Sequence, residues 1–432
     1  MKTNNFNETV TKLAAHREWD TTPLKFLFRR SKRPGNGSEQ LLSIYRDHGV
    51  VPKDSRSDNF NKASDDLSKY QKVDSGDLVI NKMKAWQGSV AISKHTGIIS
   101  PAYFVYRPML TTGMNTEYLH YLLRSSLYFQ HYGSISTGVR PNQWDLDPTT
   151  FERTLLLRPA TVEQEAIADY LDHETTEIDA LMIDTAALAG TVALRRRSLI
   201  DHIFIDTAWP AIALKYRGEL RSGLTLGKTY DGETQCFPYL RVANVQVGRV
   251  DLDEIATIDL PITEAERYRL HEGDVLMTEG GDRDKLGRGA IWSTEIDPML
   301  HQNHVFAFRC GSLLSPEFLV YALEATPARV YFDQTARQST NLASTNSTVV
   351  KNFRLPMPPL EEQHRVVASL NHELAYMSEI VANAKKVADL ARERRAALIT
   401  AAVTGQIDVA ARHKPAAEQL EDDIAQGLHR EN

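Results

Sequence analysis

Two short stretches carry residue types that bind phosphates or metals, and both fall short of a working site. Residues 223–229 (GLTLGKT) are similar to a phosphate-binding loop, but three residues separate the glycines, where four are needed to wrap the phosphates. The segment 230–232 (YDG) then predicts a turn in place of the required helix. His301 and His304 have metal-compatible spacing, but no second pair of ligands with usable spacing accompanies them. We therefore predict neither a nucleotide site nor a metal site in this chain.

A proline pair is the remaining candidate for catalysis, because methyl transfer to adenine uses an Asn/Asp-Pro-Pro-aromatic loop to hold the flipped base. Here Pro358 and Pro359 stand between Met357 and Leu360, so the polar and aromatic members of that loop are missing. Prolines are common at a helix start, which is the interpretation we prefer. No glycine-rich cofactor turn follows an obvious strand. The sequence thus disfavours a self-contained enzyme, and we expect a non-catalytic chain.

Composition narrows the class of protein. The 432 residues allow two or three domains, and 42% apolar with 25% charged residues is ordinary for a globular protein. Cys236 and Cys310 form no spaced motif, which favours a reducing, cytoplasmic compartment. Residues 1–9 lack a signal-peptide pattern, and no apolar run is long enough to span a membrane. The net charge of −6 argues against a protein that wraps DNA alone, so a DNA binder would need clustered basic residues or a charged partner.

The most informative feature is an internal repeat. Residues 159–200 and 358–399 align without a gap, at a constant shift of 199 that takes Gln164 to Gln363 and Arg195 to Arg394. Apolar residues recur every three or four positions in both copies, and in the first copy this stripe includes Leu181 and Leu188. The pattern predicts two long helices of about 60 Å. A narrow apolar stripe of that length needs a partner helix, and the simplest partner is the other copy.

The segments upstream of the helices also correspond, more loosely. Residues 19–26 match residues 209–216, and Gly76-Asp77 matches Gly273-Asp274. Between such anchors the two halves share little, so each half is predicted to be a mixed, β-rich domain with its own contact surface. Two domains of one fold but different surfaces should bind two similar, non-identical targets. A rigid spacer between them would convert protein geometry into a fixed base-pair gap on DNA.

Several segments carry a resemblance to a known family. They are residues 239–245 (YLRVANV) with Gly248, 273–277 (GDVLM), 355–363 (LPMPPLEEQ), 398–400 (LIT) with 404–408 (TGQID), and in the first half 41–44 (LLSI), 76–81 (GDLVIN) and 100–103 (SPAY). In this order and in duplicate, they resemble the specificity subunits of type I restriction-modification enzymes over roughly residues 19–409. The first half lacks the Leu-Arg-Val-Ala-Asn segment of the second, so contacts cannot be transferred from one half to the other.

The resemblance implies a mixed α/β (α+β) fold with two pseudo-symmetric target recognition domains separated by two long antiparallel coiled-coil helices. Each domain would read one half of a split, asymmetric site on double-stranded DNA. The helices would set the gap and dock two modification (methyltransferase) subunits, which restriction/translocase subunits then join. S-adenosylmethionine, ATP and Mg would be bound by those partners, with no cofactor in this chain and no membrane contact.

This resemblance predicts the following boundaries: an N-terminal segment 1–18, recognition domain 19–158, central spacer helix 159–207, recognition domain 208–357, distal spacer helix 358–409 and a polar tail 410–432. The alternative is a coiled-coil protein-interaction scaffold without sequence-specific DNA binding, in which the helices would look the same. The polar and aromatic content of the divergent loops distinguishes the two possibilities.

We expect the DNA contacts among polar, basic and aromatic residues, chiefly in the least similar stretches. Arg suits guanine edges and Asn or Gln suits adenine, whereas Lys and Thr more often hold phosphates. The candidates are Lys82, Lys84, Trp86, Thr137, Arg140, Asn142 and Gln143 in the first domain, and Arg241, Asn244, Thr278, Arg283, Lys285, Arg288, Arg337, Gln338, Thr340 and Asn341 in the second.

Two arginine clusters occupy equivalent turns of the predicted helices. They are residues 195–197 and the set Arg392, Arg394 and Arg395. Cationic side chains are favoured near helix C-termini by the helix dipole, which is one interpretation. Contact with phosphates or with a partner subunit is the other, and the sequence leaves both open.

Overall fold

The computed structural model describes residues 2–35, 38–46, 48–55, 66–109, 113–138, 144–205, 207–230, 232–281, 286–338 and 343–409. The chain divides into two compact units, one formed by residues 1–184 with 387–432 and the other by residues 185–386. Both divisions fall inside the predicted long helices. Each unit therefore combines one β-rich domain with part of both helices. The predicted tail 410–432 lies outside the described residues.

The first part of the chain alternates short strands and helices. Its elements are α1 (Lys2–His16), β1 (Asp20–Pro23), β2 (Phe28–Ser31), β3 (Leu42–Tyr45), β4 (Gly49–Pro52), β5 (Gln71–Val73), β6 (Leu78–Asn81), β7 (Val90–Ile92), β8 (Gly97–Ile99), β9 (Tyr103–Pro108), α2 (Thr116–Arg124), α3 (Ser126–Ser134), β10 (Ser136–Thr137), β11 (Asp145–Leu146), α4 (Pro148–Glu152) and β12 (Leu155–Arg158). The long helix α5 (Thr161–Phe204) follows.

The second part repeats this order with additions. Its elements are β13 (Ala211–Ala213), β14 (Gly218–Ser222), β15 (Gln235–Leu240), β16 (Ala256–Leu260), α6 (Ile262–Tyr268), β17 (Val275–Thr278), β18 (Gly280–Gly281), β19 (Gly289–Ile291), β20 (Leu300–His301), β21 (Val305–Cys310), α7 (Pro316–Glu324), α8 (Thr326–Thr335), β22 (Arg337–Gln338), β23 (Ala343–Ser344), α9 (Ser347–Asn352) and β24 (Arg354–Pro356). The second long helix is α10 (Leu360–Val403).

Both units are built on the same antiparallel four-stranded sheet. Its strand order is β2-β9-β6-β7 in one unit and β14-β21-β17-β19 in the other. In the first unit, Leu78 and Ile80 of β6 face the core under α2 and α3, whereas Val79 packs into a second cluster on the other face. Burial of both sheet faces explains why these strands are continuously apolar instead of alternating.

The additions to this shared sheet differ between the units. The first unit adds the pairs β3-β4 and β5-β8, and the second adds the three-stranded sheet β16-β15-β20. The first unit also includes α1, whose Val10 and Ala14 are buried in the domain core. The boundary predicted at residue 18 therefore divides α1 from the domain whose core it packs into.

The two long helices each contain 44 residues, which corresponds to about 66 Å at the usual rise per residue. In the first unit, Ile167 and Leu171 near the start of α5 share a core with Ala402 and Val403 at the end of α10. In the other unit the end of α5 meets the start of α10 in the same way. The helices are thus antiparallel, which confirms the predicted helix pair. No helix in the described part of the chain is long and apolar enough to cross a membrane.

Candidate nucleic-acid interface

The repeated glutamines explain why the register of the helices is kept. Gln164 and Gln363 are both completely buried one turn into their helices. The Gln164 side chain accepts from the backbone N–H of Asn115 at 2.8 Å and donates to the Pro159 carbonyl at 2.8 Å. Gln363 makes the equivalent bonds to Ser315 and Pro358, each at 2.9 Å. Each glutamine therefore ties the start of a long helix to the N-cap of a domain helix, α2 in the first unit and α7 in the second.

The far ends of the helices repeat a second contact. Thr400 of α10 accepts from the backbone N–H of Ser126, the first residue of α3, at 3.2 Å. Asp201 of α5, at the same repeat position, accepts from the backbone N–H and the hydroxyl of Thr326 in α8, both at 2.6 Å. Each of these side chains provides the first N–H of a domain helix with an acceptor that the helix itself cannot supply. Each domain is consequently bonded to the start of one long helix and to the end of the other.

The arginine clusters are partly explained by ion pairs. Arg395 donates two hydrogen bonds to Asp179, at 2.9 and 3.3 Å. Arg196, at the same repeat position, pairs with Glu324 on α7. These two arginines therefore support the structure within their own units. Arg195 and Arg197 are exposed, so the helix dipole and a phosphate or partner contact both remain open for them.

In the first unit, the two divergent stretches lie side by side. The backbone N–H of Leu146 in β11 donates to the Lys82 carbonyl at 3.0 Å. The rings of Trp86 and Trp144 are 5.0 Å apart. Lys84 is exposed beside them, and Thr137 pairs with Asp145 in the β10-β11 hairpin. The predicted contacts Arg140, Asn142 and Gln143 lie in this hairpin's connection, outside the described residues.

A basic patch of Lys82, Arg30 and Lys32 adjoins this surface, and of these three residues Lys82 alone was among the predicted contacts. The Lys82 ammonium lies 4.9 Å from the centre of the Phe104 ring, and the Arg30 guanidinium lies 4.3 Å from the same ring. Burial lowers the pKa of Lys82, and the nearby charges of Arg30 and Lys32 lower it further. These three cations could together neutralise phosphates. The basic run at residues 29–33 (RRSKR) was the available signal.

In the second unit, the corresponding divergent stretches also meet. Gly280 of β18 pairs with Ser344 of β23, and Arg337 of β22 pairs with the same residue from the other side. The Thr345 backbone N–H donates to the Glu279 carbonyl at 2.7 Å. The Arg337 side chain is exposed on this small sheet, and the backbone of Gln338 continues it. The predicted contacts Arg283, Lys285, Thr340 and Asn341 lie outside the described residues.

Two predicted contact residues are buried, which corrects the expectation that they touch DNA directly. Asn244 is 4% exposed, and its amide donates to the carbonyls of Asp251 and Glu254 at 2.9 and 3.0 Å. Its side-chain oxygen accepts from the Arg241 backbone N–H at 2.8 Å, so the side chain holds a loop together. Thr278 is 1% exposed. Among the remaining described candidates, Arg241 and Arg288 have half-buried side chains. The DNA contacts of all the remaining candidates stay predictions.

The repeated Gly-Asp pair belongs to the framework of the fold. Asp274 is buried and accepts two hydrogen bonds from the Arg309 guanidinium, at 2.9 and 2.8 Å, and one from the His271 backbone N–H at 2.9 Å. Asp77 is its equivalent and pairs with Arg33 at 2.7 Å, while burial raises the pKa of Asp77. Both carboxylates close a turn and bind a neighbouring arginine. The sequence similarity at this point therefore reflects folding and not DNA contact.

The histidines considered as metal ligands have other partners. His301 is buried and its Nδ1 lies 2.6 Å from the Val305 carbonyl, while burial lowers the pKa of His301 to about 4. The Nδ1 of His304 lies 2.8 Å from a carboxylate oxygen of Glu279. Within the described ranges, His, Cys, Asp and Glu side chains form no group of three that could hold a metal. The stretch 223–229 has no helix after it in the described residues.

Comparison with known proteins agrees with this architecture. No family model matches the chain. The chain is 21% identical to the type I restriction enzyme EcoKI specificity subunit of Escherichia coli K12 over 337 residues, which are 73% of this chain and 71% of that protein. It is 24% identical to the StySPI specificity subunit of Salmonella potsdam over 341 residues, with the same coverage of 73% and 71%.

A shorter match and a solved structure add to these relatives. The MjaX specificity subunit of Methanocaldococcus jannaschii, named for a type I restriction enzyme, is 26% identical over 154 residues, so this chain covers only 36% of that protein. A chain from a structure of type I R-M system assembly and conformational transition has a TM-score of 0.65 at 14% identity, covering 90% of this chain and 98% of its own. That likeness concerns the fold.

The two-domain, two-helix fold and these relatives indicate the same class of protein. The curated homologues of the chain are type I restriction enzyme specificity subunits. The resemblance drawn from the sequence segments is thereby confirmed.

Proposed function

We propose that the chain is the DNA sequence-specificity subunit of a type I restriction-modification complex, in which each domain reads one half of a bipartite, asymmetric DNA site. The observation that carries this proposal is the combination of a repeated framework with divergent loops. In each unit the fold brings the two least similar stretches together, near Trp86 and Trp144 in one and at the β18-β23-β22 sheet in the other. Two such surfaces on one framework suit two different half-sites.

The long helices would set the gap and receive the partner subunits. Several large apolar side chains on them are exposed, and these residues are Leu181, Ile183, Leu188 and Leu194 on α5 and Tyr376, Val381, Val387 and Leu390 on α10. Exposed apolar side chains concentrated along a helix are typical of a protein interface. We propose that two modification subunits dock there and that restriction subunits join through the complex.

The chemistry would belong to those partners. S-adenosylmethionine, ATP and Mg would be bound by the modification and restriction subunits, and this chain would act in the cytoplasm by choosing the site. Partners would also supply positive charge, because the chain carries a net charge of −6 and DNA affinity depends on neutralised phosphates.

Domain exchange tests the proposal. Residues 19–158 are replaced by the matching region of a homologue, the chimera is expressed with its partner subunits, and the methylated positions in genomic DNA are mapped. We expect one half-site to change while the other half-site and the gap are retained. The reciprocal exchange of residues 208–357 is the control and should change the other half-site. An unchanged half-site after both exchanges would contradict the proposal, as would the absence of any sequence preference.

A further inference from the structure

An exposed pair of one lysine and one aromatic residue occurs at the same place in both units. Phe26 and Tyr216 are aligned in the repeat, and each follows a lysine. Each also ends a single turn of 3-10 helix, where Phe26 is 62% exposed and Tyr216 is 66% exposed. The Lys25 ammonium lies 5.0 Å from the centre of the Phe26 ring, and the Lys215 ammonium lies 5.2 Å from the centre of the Tyr216 ring. The two units therefore present the same surface feature.

Folding of the two turns depends on other residues. Leu24 and Leu214 occupy the first positions of these turns, are completely buried and pack into the cores of their units. The Leu24 backbone N–H donates to the Thr154 carbonyl at 3.0 Å, and the Leu214 N–H donates to the Phe353 carbonyl at the same distance. An aromatic ring that stays largely in water gains little from burial, so it adds little to the stability of its unit.

A neighbouring side chain shows that exposed apolar residues are not generally repeated. The Met109 backbone N–H donates to the Leu27 carbonyl at 2.8 Å. In the second unit the same bond joins Gly311 to Arg217 at 2.7 Å, so Gly311 is the counterpart of Met109. Met109 is exposed, but its counterpart has no side chain. Single exposed apolar residues are ordinary, whereas a pair kept in both units indicates a partner that both units bind.

In the first unit, Phe26 and the divergent stretches lie towards opposite ends of β9. Phe28, two residues after Phe26, pairs with Pro108 at the last position of this strand. Asn81, which leads into a divergent stretch, pairs with Tyr103 at the first position. Five residue steps separate the two positions, which corresponds to about 17 Å at the usual rise per residue. The ring of Phe26 therefore belongs to the end of the sheet away from the surface proposed to read DNA.

The second unit has the same arrangement along β21. Gly218, two residues after Tyr216, pairs with Cys310 at the last position of this strand. Thr278, which leads into the divergent stretch of the second unit, pairs with Val305 at the first position. A partner that binds the aromatic end of each sheet therefore needs no contact with the reading surfaces. This placement favours a protein partner over DNA.

The aromatic end of each sheet also adjoins the start of a long helix. In the first unit β1 directly precedes the turn of Phe26 and pairs with β12, which leads into α5. In the second unit β13 directly precedes the turn of Tyr216 and pairs with β24, which leads into α10. A protein docked on the long helices, as proposed above, would continue onto these turns within each unit.

The lysines define the charge that this partner must carry. Lys25 and Lys215 are both exposed. Lys215 donates to the side-chain oxygen of Asn352 at 3.0 Å, which is a neutral acceptor. Within the residues that the structure describes, neither lysine forms an ion pair with a carboxylate. A surface that accepts the ring and also carries carboxylates would complement both members of the pair.

We propose that the Lys25–Phe26 and Lys215–Tyr216 pairs are equivalent docking points for a protein that binds twice, once to each unit. Its contact surface is an apolar pocket for the aromatic ring, bordered by carboxylates for the lysine. Aromatic residues are enriched among the anchors that provide most of the affinity of a protein interface. The inference rests on the proposed function, under which this partner is the modification subunit.

The test counts the modification subunits bound to the full-length chain in the absence of DNA. The chain is titrated with purified modification subunit, and native mass spectrometry gives a dissociation constant for each bound copy. We expect two copies on the wild-type chain. Phe26→Ala should weaken the binding of one copy by about thirtyfold and Tyr216→Ala that of the other, as for the loss of an interface anchor. The double variant should weaken both copies.

Conservative exchanges provide the matched controls. Phe26→Tyr and Tyr216→Phe give each unit the aromatic residue of the other, so both variants should bind two copies as tightly as the wild type. Ile262→Ala removes a similarly exposed apolar side chain from α6, outside the aligned segments, and should also leave both copies bound. Lys25→Glu should weaken the same copy as Phe26→Ala, because it places a negative charge opposite carboxylates. Circular dichroism and the urea midpoint show whether the variants are folded, as expected for exposed side chains.

Two copies bound with wild-type affinity by the double alanine variant would overturn the proposal. A wild-type chain that binds no modification subunit would also overturn it. Unchanged assembly with weaker binding to a DNA duplex would overturn it too, and would assign the two rings to DNA contact. Failure of the proposed function is a separate outcome, seen when the assembled wild-type complex binds all duplexes alike. The number of bound copies still decides the inference in that case.

Discussion

Substitution of Gln363 tests the reason for the repeat most directly. The side chain is buried and bonds to groups on both sides of the junction between α10 and its domain. Gln363→Ala would leave the Ser315 N–H and the Pro358 carbonyl without partners, and both residues are buried. An unsatisfied buried polar group costs about 1–3 kcal/mol, so we expect a loss of about 2–4 kcal/mol in the free energy of unfolding.

Gln363→Glu separates hydrogen bonding from packing, because the side-chain volume hardly changes. One carboxylate oxygen can still accept from Ser315, but the other faces the carbonyls of Leu313 and Pro358, which need donors. Burial should raise the pKa of the introduced carboxyl above its usual value of about 4.3. The folded state then favours the protonated form, so the deficit in stability should be small below pH 4 and grow as the pH rises towards 7.

Urea unfolding gives the stability, and hydrogen exchange shows where the change occurs. Gln363→Ala should lower the urea midpoint and accelerate exchange at Ser315 and the first turn of α7. Gln164→Ala should do the same at Asn115 and α2, while Gln406→Ala is the control because that glutamine is exposed. Unchanged exchange at Ser315 in Gln363→Ala would refute the idea that this glutamine fixes the helix to its domain.

Three further predictions concern the framework and the DNA surface. Asp274→Asn should cost about 2–3 kcal/mol in unfolding free energy, because the buried carboxylate loses its charge opposite a partly exposed Arg309; equal urea midpoints would argue otherwise. His301 stays neutral when folded because its pKa is about 4, so its contribution to stability is complete above pH 6.5 and is lost as the pH falls towards 4. His301→Gln should therefore flatten the decline of the urea midpoint between pH 7 and 5, and an identical slope would contradict this. Arg337→Gln should reduce the preference for one half-site by about 1–3 kcal/mol in duplex competition, whereas equal weakening of all duplexes would indicate a phosphate contact.

The helices and the duplicated framework could be predicted from sequence because each depends on a pattern that repeats. A register of 199 and apolar spacing of three or four indicated two long helices, and the structure has them at Thr161–Phe204 and Leu360–Val403. The details of the apolar stripe were harder. Leu181 and Leu188 were expected on the buried stripe, yet both are 47% exposed, while Thr185 and Ala384 are buried. Small side chains at the buried positions allow close helix packing, which hydrophobicity alone does not reveal.

The contact surface was predictable only in outline. Divergence between the halves predicted where to expect DNA contacts, but it could not show which side chains face inward. Asn244 attracted attention as an amide suited to adenine, and the structure uses all of its hydrogen-bonding groups inside a loop. Arg30 and Lys32 lie on or beside a framework strand, so divergence between the halves did not point to them. Side-chain direction on a strand depends on pairing register, and that register is set by the tertiary fold.

The matched spacing of the anchors gives the gap-free helix repeat a physical cause. On α5 the domain contacts are at Gln164 and Asp201, and on α10 they are at Gln363 and Thr400, with the same separation on both helices. Each residue of an α-helix advances the side-chain direction by about 100°, so one inserted residue would turn the second anchor away from its partner. The domains can exchange whole loops and strands, because those changes leave the anchors in phase. An insertion in one helix would break a buried hydrogen bond at one of its ends, which explains why similarity between the halves is loose in the domains and unbroken along the helices.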